Sequence, residues 1–480
     1  MSHPTKPVRL RDAPGAHRRF SEGAGTGFFL LAVVAALIWS RHLPLLPGLT
    51  PAASCAAILV CFTIGSWASG LFKEPITTLL FFLLAMLFSV APAETVFAGF
   101  ASPAWWLVFG GAITGIAVRT SGLAQRASDL LLSLKGGTYR HYVSAIVLAS
   151  LALAFVMPST TGRVLLLTPI ALTLADRLGF SPGRRGRTGL VVAVAAACYM
   201  PPTSILPANI PNSVLLGAAQ QLYDVKLHYA PYLLLHFPVL GVLKSALLIW
   251  LICRLYPDHI EAQRAPEHAS LRLTPREMVL CVVLCLSLLC YATDFLHGVS
   301  PAWVSLGAGV MCLLPQTKVV SVKEFTDQMH VTPLVYVAGF LGLGTVMTES
   351  GLGRQLANLL LGATHMAPNS PLTNALLILA LGAVIGALTT LPGLPAVLTP
   401  LAGQLAHSSG LPLYTVLMLQ VPVFSTVFLP YQSPPMMIAM QMGGVSLREG
   451  ARLCIVLAFL TILFLLPIDY AWWRLVGLLP

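Results

Sequence analysis

In the first half of the chain, two apolar runs are joined by Met157-Pro158-Ser159-Thr160-Thr161-Gly162-Arg163. Three consecutive hydroxyls place hydrogen-bonding oxygens at a polar break between two apolar runs. Arg163, two residues on, offers a planar fork that matches a carboxylate. The chemistry this points to is recognition rather than bond-making. The sequence carries no His-Glu-x-x-His, no Gly-x-Ser-x-Gly and no pair of aspartates inside an apolar run. Its nine cysteines are scattered singly and none has zinc-finger spacing with histidine, so they read as small packing residues. No catalytic residue, metal centre or cofactor is expected.

The elements that must position this motif are helical. The first apolar arm, residues 143–156, is about 21 Å long at 1.5 Å per residue, too short to span a ~30 Å hydrocarbon core. The second, residues 164–178, is equally short. Two half-length helices joined by a polar break suggest a re-entrant hairpin over 142–178 whose tip stops inside the membrane. Non-helical backbone at that depth needs protein or a wet cavity around it, which makes the tip a candidate site. The alternative is one helix kinked at a structural Pro-Ser-Thr turn. Arg163 opens the second arm, where free N–H groups and the helix dipole already favour an anion. Its alternative role is to snorkel toward the cytoplasm.

Composition sets the class. Of 480 residues, 56% are hydrophobic and 9% charged, with a mean hydropathy of +0.82, against about 25% charged in an ordinary soluble protein. This is an all-α polytopic membrane protein embedded in the lipid bilayer. Residues 1–26 form a basic tail, 27–50 a first transmembrane helix, and 257–275 the one long polar linker. Apolar runs suggest about eleven spans. With the amino terminus in the cytoplasm, about 22 of the Lys and Arg residues fall inside, Arg119 to Arg140 among them, as the positive-inside rule requires. The net charge of +11 is thus accounted for by placement, without nucleic acid.

The chain also repeats itself. Gly110, Gly115 and Ser121-Gly122-Leu123, then Leu130-Leu131-Leu132, recur as Gly339, Gly344 and Ser350-Gly351-Leu352, then Leu359-Leu360-Leu361. Thr168-Pro169-Ile170-Ala171 recurs as Thr399-Pro400-Leu401-Ala402, and Leu206-Pro207 as Leu429-Pro430. The expected architecture is two inverted repeats, 51–256 and 276–480. The first has the hairpin 142–178 and a broken helix 188–222; the second has a hairpin 371–406 and a broken helix 411–442. Such repeats place substrate at the membrane midplane between them, and the recurrence favours the hairpin over the kinked helix.

At these residues the sequence resembles the divalent anion/sodium symporter (DASS) family of dicarboxylate, citrate and sulfate carriers. The likeness extends through the Pro211-Asn212 break to the terminal Tyr470-Ala471-Trp472-Trp473. It implies a homodimeric secondary transporter of the bacterial inner (plasma) membrane, working by an elevator-type movement. The family's tips carry Ser-Asn-Thr, whose oxygens hold the substrate carboxylate and sodium. Carried over, this implies a site for a small anion at Ser159, Thr160, Thr161, Arg163, Asn212, Thr389 and Thr390, with Ser159, Thr160, Thr203 and Thr390 able to serve a coupling sodium. The chain departs from the pattern: its second tip reads Thr390-Leu391-Pro392 and its second break Pro434-Pro435-Met436. Leucine, proline and methionine side chains give sodium no hard oxygen. Arg163 is shared with exchanging relatives. The expectation is therefore exchange of small di- or tricarboxylates with doubtful sodium coupling. The alternatives are a sodium-coupled dicarboxylate or sulfate symporter and, from another class, a non-transporting anion sensor or membrane-embedded enzyme.

Of the remaining polar residues, Lys244 is expected to pair or snorkel, Asp469 to lie near a membrane exit, and Glu349 to end a helix. Gly110 to Gly115 and Gly339 to Gly344 lie inside apolar runs and read as close helix packing, not a nucleotide loop.

Overall fold

The computed structural model describes residues 29–41, 50–69, 71–123, 126, 137–157, 159–260, 273–356, 366, 370–388 and 390–479. The basic tail, Pro158, the two leucine triplets, most of the 257–275 linker and Thr389 lie outside the described residues. Among those described there is no strand. The principal helices of the first half are α1 (Phe29–Ser40), α2 (Pro51–Ser69), α3 (Glu74–Leu87), α4 (Pro103–Thr120), α5 (Tyr139–Val156), α6 (Thr160–Arg177), α7 (Arg185–Ala197), α8 (Ile210–Tyr223) and α9 (Tyr229–Leu255). The second half has α10 (Pro275–Ala292), α11 (Pro301–Leu313), α12 (Thr332–Glu349), α13 (Pro371–Leu388), α14 (Gly393–Leu398), α15 (Ala402–Ser409), α16 (Leu413–Ser425), α17 (Pro434–Gly443) and α18 (Leu447–Leu475).

By length and apolarity α5, α9, α10 and α18 can each cross a membrane unaided. The short helix Val322–Gln328 with α12, bent by 61°, makes a fifth. Among the described residues α1, α2, α3, α11, α13 and α16 are shorter apolar helices. The shortness argued for the hairpin arms does not hold. Thr138 caps α5 by accepting from the His141 N–H, which starts the helix before the apolar run. Both α5 and α6 reach 18 residues, about 27 Å each.

Glycines set the closest helix contacts. A Cβ on Gly110 would lie 2.3 Å from the Ser305 carbonyl oxygen, so α4 and α11 touch backbone to backbone. On α12, Gly339 meets the Thr78 side chain and Gly342 the Val96 carbonyl in the same way. The two halves interlock: α17 packs on α6 and α7, while α8 packs on α12 and α14.

Ion pairs tie the basic loops to acidic neighbours. Arg184 holds Asp258 at 2.5 Å, Arg126 grips both Glu277 carboxylate oxygens at 3.1 and 2.9 Å, and Arg276 meets Glu324 at 2.9 Å. Burial pushes the Asp258 pKa up, but hydrogen bonds from Arg184 and from the Gly186 and His259 N–H groups outweigh it and hold the carboxyl below its ordinary range.

Candidate functional site

The site is built from two helix interruptions and the hairpin tip facing each. The first interrupted helix runs α7, then two 3₁₀ turns (Pro201–Ser204 and Leu206–Ala208), then α8. Pro201, Pro202, Pro207 and Pro211 each lack an N–H and prevent a continuous helix. The second runs α16, an extended stretch, the turn Pro430–Gln432 and α17.

At the first tip, Met157 is extended and Ser159 caps α6, its Oγ accepting from the Gly162 N–H at 3.1 Å. Thr160 Oγ1 donates to Asn209 Oδ1 at 2.6 Å. Arg163 is fully buried, so it does not snorkel. Its Nη1 donates to the Met157 carbonyl at 2.5 Å. Its Nη2 reaches the carbonyls of Cys198 (2.9 Å) and Ala208 (3.1 Å), Asn209 Oδ1 (3.2 Å) and Thr160 Oγ1 (3.3 Å). Helix ends leave such carbonyls without an intrahelical partner. One guanidinium therefore latches the end of α5, the end of α7 and the first break together, leaving only Nε without a partner.

The other expected residues divide between tip and break. Ser159 and Thr161 are half-buried at the tip. Thr203 and Asn212 are buried in the break: Thr203 Oγ1 donates to the Met200 carbonyl at 2.6 Å, and Asn212 Nδ2 to those of Thr203 and Ile205 at 3.1 and 2.7 Å. Asn212 Oδ1 has no partner. At the second tip, Thr390 Oγ1 shares a 3.0 Å hydrogen bond with the Tyr336 hydroxyl. Leu391, Pro392 and Met436 are buried there and add no side-chain oxygen.

Three residues not singled out from the sequence belong to this site, two of them holding its geometry. Asn209 joins the first tip to the first break, its Nδ2 donating to the Tyr199 carbonyl at 3.0 Å. Gln432 does the same in the second half. Its Nε2 donates to the Gly386 carbonyl at 2.6 Å, its Oε1 accepts from the Phe428 and Leu429 N–H groups, and its carbonyl accepts from the Leu391 N–H at 3.0 Å. The signal was present: Asn209 and Gln432 each stand two residues after the proline of the recurring Leu-Pro. The third is Arg119. A terminal nitrogen of this half-buried arginine lies 3.2 Å from where a Cβ would sit on Gly162, and Ser159 Oγ lies at the same distance from that point. Among the described residues Arg119 has no hydrogen-bond or ion-pair partner. Helical side chains lean toward the N-terminus, and Gly115, one turn back, leaves the room. Thr348 holds the corresponding place in the second half, four residues after Gly344, so the cation marks the first tip alone.

Lys244 pairs and does not snorkel, whereas Asp469 departs from expectation. Lys244 is buried, its Nζ donating to the Ser425 carbonyl at 2.6 Å and Oγ at 2.8 Å. Asp469 is buried within electrostatic reach of it rather than near an exit. Glu349 ends α12 as expected and accepts from Thr95 Oγ1 at 2.5 Å.

Sequence and fold comparisons address the family and the fold. A family model described as the sodium:sulfate symporter transmembrane region matches residues 26–479. A membrane protein of Cupriavidus necator is 24% identical, the match covering 93% of this chain and 92% of the relative. An uncharacterized transporter of Haemophilus influenzae is 20% identical, covering 93% and 96%. Among solved structures, the YdaH transporter of Alcanivorax borkumensis shares the fold at a TM-score of 0.52 and 16% identity, over 80% of this chain and 88% of that one. The family match spans nearly everything after the basic tail, and the chain is thus an integral membrane transporter belonging to the sodium:sulfate symporter (DASS) family.

Proposed function

We propose that the protein exchanges small di- or tricarboxylates across the bacterial inner membrane, as a homodimer working by an elevator-type movement of two inverted repeats, with its amino terminus in the cytoplasm. The observation that carries the substrate class is Arg119. It is an uncommitted guanidinium beside the first tip, next to the positive end of an 18-residue helix. A carboxylate there meets the Arg119 fork, the Ser159 and Thr161 hydroxyls and the first N–H groups of α6. Thr160 and Arg163 shape the seat, Arg163 adding its charge and the free Nε. Thr390 serves the far end of the anion. The cytoplasmic placement of the amino terminus draws on the asymmetry of Lys and Arg between the two sides of the spans read from the sequence.

Exchange in place of sodium-driven uptake follows from Leu391, Pro392 and Met436, which supply no side-chain oxygen to the second site. Sodium-coupled symport is the second reading, and Asn212 Oδ1 favours it: a buried acceptor without a donor suits a hard cation.

The test is counterflow in proteoliposomes holding an unlabelled di- or tricarboxylate, with a panel of labelled external anions that includes sulfate. The expected result is accumulation of a di- or tricarboxylate that requires the internal anion and is unchanged when choline replaces sodium. Arg119→Gln should weaken its affinity about ten- to a hundredfold, the scale of one charge-assisted contact. Steep sodium dependence without any internal anion establishes the second reading. Absence of counterflow for every anion refutes both.

A further inference from the structure

We propose that Lys244 is a tethered cation that permanently fills, at the broken end of α16, the place a dissociable cation would have to fill. Helix α16 stops at Ser425, where Thr426 turns to extended backbone. A helix end of this kind presents unpaired carbonyls and a partial negative charge, and interrupted helices of transporters use such ends to coordinate ions. Here the ammonium occupies that end. It holds both the carbonyl and the hydroxyl of Ser425, and Ser425 Oγ in turn donates to the Met200 carbonyl of the first break at 3.4 Å. Lys244 Nζ therefore stands on the seam where the two interruptions meet.

The backbone of α9 is shaped to put it there. Residues Phe237–Leu243 form a π-helical segment with Pro238 inside it, and Lys244 follows at once. A π-turn shifts the register of everything after it, and such turns concentrate at functional sites. In the second half, α18 has its own π-segment, Thr461–Leu465, packed against the first, and Asp469 comes four residues later. Yet the carboxylate does not take the ammonium: no salt bridge within 4.0 Å joins them among the described residues. The oxygens on Lys244 are neutral, as they would be for a coordinated ion. An uncharged donor could satisfy one carbonyl without the cost of burying charge; Lys244 instead brings an amine onto two oxygens of one residue. Lys244 comes from the first half, yet the oxygens it holds belong to the second, where Leu391, Pro392 and Met436 give a cation no side-chain oxygen.

The transport arm of the test rests on the exchange reading above; the unfolding arm does not. Purified wild type and Lys244→Ala are heated in detergent in choline, sodium, ammonium or methylammonium chloride. Wild type should unfold alike in all four. Lys244→Ala should unfold at a lower temperature in choline and be restored by at least one of the small cations entering the vacated space. In proteoliposomes the variant should lose at least tenfold in exchange rate in choline and regain it with the same cation. Lys244→Gln, which keeps a donor without the charge, covers the case in which alanine does not fold, and should remain folded but exchange-impaired. The proposal is overturned if either variant exchanges at the wild-type rate in choline. It is equally overturned if Lys244→Ala is impaired and no small cation restores its unfolding temperature. A wild type that exchanges nothing refutes the transport reading, while the cation-dependent unfolding still decides the role of Lys244.

Discussion

Replacing Arg163 with methionine keeps most of the stem and deletes the guanidinium. Four acceptors lose a donor at once: the carbonyls of Met157 and Cys198, and the Ala208 carbonyl and Asn209 Oδ1, which keep only Thr160 Oγ1. A hydrogen bond to a charged group contributes about 1.5–3 kcal/mol. Simple addition overcounts, because one nitrogen serves three of the four acceptors and deleting the cation also removes its own burial cost. Breaking a buried charged network from one side typically costs about 3–5 kcal/mol, a large part of the stability of an ordinary domain. Lysine restores the charge but not the fork, and should recover only a minority of the loss. The assay is gel filtration of the detergent-solubilised protein after heating, with equilibrium anion binding measured on whatever remains folded. Arg163→Met should lower the unfolding temperature sharply, and Arg119→Gln should leave it unchanged while weakening binding. If Arg163→Met unfolds like the wild type and loses only affinity, the latch assigned to this residue is wrong and its guanidinium belongs to the ligand.

Gly110→Ala places a methyl 2.3 Å from the Ser305 carbonyl oxygen and must pry α4 from α11, whereas Gly307→Ala on α11 meets nothing within 4 Å. Overpacking of this kind costs about 1–3 kcal/mol, so the first variant should yield less folded protein and the second should match wild type by expression and thermal unfolding. Asp258→Asn should destabilise the protein at neutral pH. Because the folded-state pKa is lowered, the stability belongs to the ionised form: it is present above the unfolded carboxyl pKa and lost as pH falls through the folded value. Unfolding curves of wild type and variant should converge on acidification below the carboxylate range, and a gap that persists there refutes the account. Single cysteines placed in the 257–275 linker and in the basic tail should both label from the cytoplasmic side of oriented vesicles; outside labelling of either overturns the orientation.

Much of the site could be read in advance because proline and glycine have few conformational options. Pro201 to Pro211 and Pro430 to Pro435 forbid helix in an apolar context, and the interruptions are where those residues stand. What escaped depends on direction, not on type. Arg119 was placed with the basic loops by sign, but its side chain runs back along α4 to the tip. Lys244 and Asp469 follow π-segments, whose register shift leaves no mark in an apolar pattern. Asn209 and Gln432 each satisfy partners far along the chain, which local spacing cannot show. The arms of the hairpin were undercounted because polar residues before the apolar run, Tyr139 to His141, continue α5 from its Thr138 cap.

The interlocking of the halves bears on how the molecule is made. The first interruption is complete as polypeptide once residue 212 has left the ribosome, with its prolines in place. The segments that cover α6, α7 and α8 from the other side, α12, α14 and α17, are synthesised between 120 and 231 residues later. At ~5–20 residues per second that interval is roughly 6–50 s. Through it the first break has its own Arg163, Asn209 and Asn212 hydrogen bonds but not the helices that later pack over it. Those side chains can therefore hold the irregular backbone satisfied in the membrane while the other half is still being made.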